Sequence, residues 1–175
     1  MKNNHVVPRK LLIASLAGVA LLGAAPVAVA AGTAQGVLAV SADVTASCSV
    51  GASSNISLSN LSFAADGAGQ GAVSITCTMG TSYNVGLDQG GATGATVTTR
   101  KLTIDDQSGA TLAYSLTTDQ PGQTNWGNTV GTDTVPGTGN GAAQSIPVYM
   151  QIRAADLQTA VVGHYSDTVN VTVTY

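Results

Sequence analysis

Apolar residues recur at every second position in one segment after another of this chain, and that period makes the β-strand its dominant regular element. Val73, Ile75, Cys77 and Met79 share one face, with Ser74, Thr76 and Thr78 on the other, which predicts a half-buried strand over 72–79. Tyr83, Val85 and Leu87 repeat the pattern after a Gly80-Thr81-Ser82 turn. Leu112, Tyr114 and Leu116 form a third set, and Ile146, Val148, Met150 and Ile152 a fourth within 145–153. Pro147 removes a ladder donor from that fourth run, which places it at a sheet edge or near a strand end. The last set puts Val169, Val171, Val173 and Tyr175 on one face and Thr168, Asn170, Thr172 and Thr174 on the other.

Glycine-rich punctuation separates these runs. Gly67-Ala68-Gly69-Gln70-Gly71, Gly90-Gly91, Gly127-Asn128 and Gly137-Thr138-Gly139-Asn140-Gly141 read as turns and loops. Short strands joined this way predict an all-β, two-sheet sandwich. Thr118 to Ala143 lacks clean alternation and is expected to be the longest irregular connection, holding Trp126.

The first thirty residues set the compartment. Lys2, Arg9 and Lys10 form a basic head, and Leu11 to Ala25 an uncharged apolar run too short for a firm membrane span. Ala28-Val29-Ala30 supplies the small residues of a signal-peptidase site, so cleavage is expected after Ala30, with Ala31 the neighbouring option. The expected organisation is a signal peptide over 1–30, an N-terminal segment over 31–47 and one β-sandwich domain over 48–175. No stable membrane insertion is expected after cleavage. From residue 31 onward, Arg100, Lys101 and Arg153 stand against nine aspartates and no glutamate, which argues against nucleic acid as a partner.

Cys48 and Cys77 are the whole cysteine inventory, and in an exported chain they most simply form one disulfide. In the chain-entropy picture, closing a loop of about 30 residues stabilises a fold by roughly 3 to 4 kcal/mol. Just before Cys48, Leu38, Val40, Ala42 and Val44 lie on one face of an alternating segment and Ala39, Ser41 and Asp43 on the other. This is a strand at a free N-terminus, able to pair within its own chain or to serve another molecule.

No reaction chemistry emerges, and no cofactor or metal is expected. His164 is the sole histidine beyond residue 30 and has no partner cluster. Asp105-Asp106-Gln107-Ser108-Gly109 reads as a hairpin turn and departs from an EF-hand loop. The glycines at 137–141 lack phosphate-cradle spacing, and neither a Walker lysine nor a G-x-S-x-G elbow is present. Trp126 between Asn125 and Gly127 is the one aromatic placed to stack on a sugar, with core or loop anchoring as the alternative. Asn55-Ile56-Ser57, Asn60-Leu61-Ser62 and Asn170-Val171-Thr172 match the glycosylation sequon, which matters only in a host that makes that modification.

Several segments in order resemble the spore coat protein U domain family, which includes subunits of archaic chaperone-usher pili. They are Val44-Thr45-Ala46-Ser47-Cys48-Ser49-Val50, Ile75-Thr76-Cys77-Thr78, Arg100-Lys101-Leu102, Leu112-Ala113-Tyr114-Ser115-Leu116, Asn125-Trp126-Gly127, and the ending from Gly163-His164-Tyr165 through Val169-Asn170-Val171-Thr172-Val173-Thr174-Tyr175. The resemblance implies an incomplete immunoglobulin-like sandwich lacking one strand. A periplasmic chaperone would fill its groove first, and then the N-terminal strand of a neighbouring copy or related subunit, delivered at an outer-membrane usher. Leu38, Val40, Ala42 and Val44 are then the donor residues, with Ala42 small for a pocket-filling position. The expected role is a non-catalytic pilus subunit, carried through the periplasm to the cell surface and supporting adhesion or biofilm formation. The alternatives are a self-complemented secreted coat or matrix protein of the same fold, and a carbohydrate-binding or tip adhesin module.

Overall fold

A computed structural model describes residues 31–51, 53–106, 108–120 and 122–175. The signal-peptide reading over 1–30, including its cleavage residue Ala30, lies outside them; Ala31 is exposed. The chain divides into two units, Met1–Ser41 and Ala42–Tyr175. In the first, residues 31–41 are exposed and belong to no strand or helix.

Among the described residues the second unit holds nine strands and one short helix: β1 (Cys48–Val50), β2 (Gly67–Cys77), β3 (Ser82–Leu87), β4 (Arg100–Ile104), β5 (Thr111–Thr117), β6 (Val135–Thr138), β7 (Ala143–Ile152), α1 (Ala154–Leu157), β8 (Tyr165–Ser166) and β9 (Val171–Thr174). They form a six-stranded sheet in the order β1-β2-β7-β5-β4-β8 and a three-stranded sheet in the order β6-β3-β9. All pairings are antiparallel. The expected all-β sandwich is therefore present. Among the described residues no helix is long and apolar enough to cross a membrane.

Period-two patterning explains the core. Val73, Ile75 and Cys77 of β2, Leu112, Tyr114 and Leu116 of β5, and Val148, Met150 and Ile152 of β7 turn inward from the large sheet; Tyr83, Val85 and Leu87 of β3 meet them from the small one. Ile146 is only half-buried, and Met79 and Tyr175 lie beyond the strand ends and are exposed. For Met79 and Tyr175 the alternation runs past the ends of β2 and β9, whereas Ile146 lies within β7, paired with Val73.

Two other expectations change. The Gly67–Gly71 run is the first half of β2 rather than a loop, because it pairs with β7 in an unbroken register from Gly67↔Ile152 to Thr76↔Ala143. The 118–143 connection contains β6, which pairs with β3 through Ser82↔Thr138 and Val85↔Val135. Pro147 sits in a sheet-interior strand, yet β5 reaches β7 only along Tyr149, Met150 and Gln151, so Pro147 is paired by β2 alone. Its missing donor falls where β7 is locally an edge.

Trp126 is fully buried and its Nε1 donates to the Val85 carbonyl at 2.8 Å, which rules out stacking on a ligand. The Asp105-Asp106 stretch forms the β4–β5 turn, where Asp106 Oδ1 accepts from the Ser108 amide at 2.9 Å.

Candidate functional site

The small sheet is too narrow to cover the large one. β9 pairs with β3 on one side, and its other edge has no strand partner among the described residues. Beside that edge the core opens into a groove of about 660 Å³. Its floor is the inward apolar face of the large sheet: Val73, Leu112, Leu116, Val148, Met150 and Ile152. Leu87, Val169 and Val171 line it from the β3–β9 side.

The opposite wall is a segment the sequence reading passed over. After β1 the chain leaves the large sheet: the Ser54 amide donates to the Ala72 carbonyl at 2.9 Å, and residues 55–61 then belong to no strand. Ile56, Leu58 and Leu61 line the groove from this segment. They rest on the inward face of β2, where Gly67, Gly69 and Gly71 occupy the positions that continue as Val73, Ile75 and Cys77. Two signals for this were in the sequence. One is the apolar alternation of Ile56 and Leu58 among Asn and Ser; the other is a glycine at every second position, in phase with a strand face.

One end of the groove is polar. The Tyr114 hydroxyl donates to Asp167 Oδ2 at 2.6 Å, while Asp167 Oδ1 accepts from the Gly91 and Thr168 amides, both at 2.8 Å. Burial, then the bond to Asp167, pushes the Tyr114 phenol well above its usual value, so it serves only as a neutral donor. Asp88 accepts from the Asn170 amide at 2.9 Å and from its side chain at 2.6 Å, which ties the start of β9 to the end of β3. Burial pushes the Asp88 carboxyl up, but the bonds from Asn170 and Gly90, with Arg100 nearby, outweigh it and hold the group below its usual range.

Beneath this rim Arg100 is fully buried. It donates to the carbonyls of Asp88 and Val97 at 2.7 Å each, and to those of Leu87 and Trp126 at 2.9 and 2.7 Å. Four carbonyls, from the end of β3, the β3–β4 connection and the β5–β6 connection, are thereby held by one planar guanidinium.

Cys48 and Cys77 are brought together. They are directly opposed in the β1–β2 register, with Cα atoms 4.1 Å apart, and are joined as a disulfide. Leu38, Val40 and Val44 are 87, 86 and 84% exposed, Ala42 is exposed, and residues 31–47 contain no assigned strand. His164 and Asp105 approach to 3.7 Å on the surface, and the Ser166 hydroxyl donates to the same carboxylate at 2.8 Å. Among the described residues no cluster of His, Cys, Asp or Glu is placed to hold a metal ion. The site's chemistry is that of an apolar trough beside an unpaired strand edge.

The family model of the Spore Coat Protein U domain matches residues 34–172. No curated protein sequence matches the chain. Among solved structures, the fold is similar to a chain in the CsuC-CsuE chaperone–tip adhesion subunit pre-assembly complex from archaic chaperone-usher Csu pili of Acinetobacter baumannii. The TM-score is 0.55 and the identity 20%, covering 75% of this chain and 40% of that one. The chain thus spans well under half of that structure's length. A chaperone-tip adhesin complex linked to biogenesis of CFA/I fimbriae aligns at a TM-score of 0.33 and 13% identity, over 69% of this chain and 41% of that one.

Proposed function

Because this chain belongs to the spore coat protein U domain family, we propose that it is a structural subunit of a bacterial surface pilus, assembled through the chaperone-usher pathway by donor-strand exchange and supporting adhesion or biofilm formation. The observation that carries this is the apolar groove of about 660 Å³ beside the unpaired edge of β9. A groove between two layers of a sandwich exposes apolar surface and unpaired backbone groups together, a combination that a strand added from another molecule satisfies at once.

Residues 38–44 have the form such a strand needs. In extended conformation, Leu38, Val40, Ala42 and Val44 face one way over roughly 20 Å, leaving Asp43 to solvent. Each Val or Leu fully buried contributes about 1.5 to 3 kcal/mol before ordering costs, and backbone bonds to β9 add direction and register. In this reading the signal is removed after Ala30 or Ala31, a periplasmic chaperone holds the groove, and an outer-membrane usher exchanges it for the donor of a neighbouring copy or related subunit. The Cys48–Cys77 bond marks where the donor segment meets the folded unit.

The test is a gel of surface-sheared material, unheated beside heated, probed for this chain. A ladder that collapses to one band on heating is expected. A single mature-sized band in both lanes removes the polymer reading in favour of a self-complemented coat protein.

A further inference from the structure

Charge is distributed unevenly over this fold. Beyond residue 30 none of the nine aspartates lies in a strand; they stand in loops, turns, the short helix and the N-terminal segment. The cations of the same region do the opposite. Arg100 is buried, and the other two, Lys101 and Arg153, belong to the outer face of the six-stranded sheet, turned away from the groove. Lys101 alternates with the inward Arg100 and Leu102 and is directly opposite Ala113. Arg153 is exposed and keeps an extended backbone, φ −77° and ψ 144°, so the alternation of β7 runs on through it. Among the described residues the one ion pair is His164–Asp105, and neither of these two cations is neutralised by a neighbour.

Beside them the same face carries an aromatic ring and a hollow. Tyr149 and Gln151 of β7 point outward, half-buried; the register sets Gln70 and Thr117 on either side of Tyr149, and Ala68 and Ser115 on either side of Gln151. A hollow of about 140 Å³ opens at this place, with Ala68, Thr117, Gly122, Tyr149 and Gln151 in its lining. Gly122 keeps it open. Its φ is 90°, and a Cβ there would lie 3.0 Å from Gln151 Oε1. Gln151 is oriented from behind: Nε2 donates to Asp66 Oδ2 at 3.0 Å, while Asp66 Oδ1 accepts from the Ala154 amide at 2.8 Å. Its Oε1 is thereby held beside Gly122 as an acceptor facing the hollow.

A sugar ring presents an apolar C–H face surrounded by hydroxyls. An aromatic side chain beside one oriented amide oxygen, in a hollow with room for a single ring, matches that chemistry. Ser115 pairs with Gln151, so Ala113 and Arg153 are level two residues further on, about 7 Å along the face at the strand rise. Lys101 lies in the same row across the small Ala113, two strand spacings or roughly 10 Å from the line of Arg153. Two long cationic side chains there converge on a carboxylate, which the arginine fork receives through two bonds. The aspartates around the face repel a densely charged polyanion, which leaves a polymer with one charge per ring as the better match.

We propose that the outer face of the six-stranded sheet binds an acidic polysaccharide. One hexose ring sits in the hollow against Tyr149 and Gln151, and the carboxylates of the uronic acid rings that follow meet Arg153 and Lys101. The site lies within the folded unit on the face opposite the groove, so it does not depend on the donor-strand reading. Repeated once per subunit along a filament, it turns a weak contact into an avid one.

The experiment is fluorescence anisotropy of a labelled galacturonate hexamer with the purified full chain, beside the methyl ester of the same hexamer, which keeps the sugars and loses the charge. The acid is expected to bind, more weakly as salt rises, and the ester to bind about tenfold less tightly. Lys101→Gln combined with Arg153→Gln should bring the acid to the affinity of the ester. Tyr149→Ala should weaken binding of the acid about tenfold, with Ser145→Ala, further along the same face, unchanged. Each variant is first verified as folded by Trp126 emission. Amide shifts of the unsubstituted chain with the acid need no variant, and are expected at Gln70, Thr117, Tyr149 and Gln151. Failure of the acid to bind overturns the proposal. So does equal binding of acid and ester, wild-type affinity in the double glutamine variant, or shifts confined to Val171–Thr174, which would put the sugar in the groove.

Discussion

Arg100 shows how a single side chain sets the geometry on which the groove depends. Its four acceptors are the carbonyls of Leu87, Asp88, Val97 and Trp126, and Leu87 in turn presents its side chain to the groove. Lysine at this position brings one ammonium with three donors and no fork, too few for four carbonyls. Arg100→Lys therefore leaves at least one buried acceptor unpaired, at about 1 to 3 kcal/mol each. The expected result is a loss of at least about 1 to 3 kcal/mol, read as a lowered urea midpoint with an unchanged m-value followed by Trp126 emission. An unchanged midpoint would show that water or a shifted loop satisfies those carbonyls. Nothing in the local pattern around Arg100-Lys101-Leu102 announces this role, because three of its four partners lie 12, 13 and 26 residues away in sequence. Trp126 is similar. A polar-flanked tryptophan reads as either a surface contact or an anchor, and only the closure of its loop onto β3 made it the latter.

At the scale of elements, the short β1 owes its place to a covalent bond more than to its own ladder. It contributes only the pairs Cys48↔Cys77, Ser49↔Thr76 and Val50↔Ile75, and the disulfide sits at the first of these. Replacing both cysteines, Cys48→Ser with Cys77→Ser, removes a link closing 29 residues of sequence, worth about 3 to 4 kcal/mol in the chain-entropy model. The amides of Cys48–Val50 are expected to lose exchange protection before those of β2, and the urea midpoint to fall. Retained protection in β1 would mean that the ladder suffices. The inward faces of β2, β3, β5 and β7 were legible because alternation survives wherever one strand face is buried. The first half of β2 was not legible. Its glycines satisfy the rule for a loop, and they act as strand residues only because Ile56, Leu58 and Leu61 fill the space above them. β6, with the pattern Val135-Pro136-Gly137-Thr138, was hidden for a related reason: it has too little apolar surface to alternate and is specified by pairing with β3.

For the whole molecule, the six-stranded sheet faces a layer of three, and that inequality leaves the groove. If residues 38–44 of one copy fill it in the next, Val40→Asp places a carboxylate in an apolar trough. The cost is several kcal/mol unless the strand shifts register. The substituted chain should fold normally, since Val40 is 86% exposed, and the unheated gel ladder should fall to monomer. A ladder of wild-type intensity would exclude Val40 from the contact. The sequence by itself determined the strand period, the pairing of its only two cysteines and the amphipathic form of residues 38–44, because each depends on residues close in the chain or on a count with one solution. Only the tertiary structure decided where the open groove lies. Every strand offers an inward apolar face, and an open edge is a property of which strands lack neighbours. That is settled by long-range pairing and by the three glycines that let the chain after β1 cross over β2.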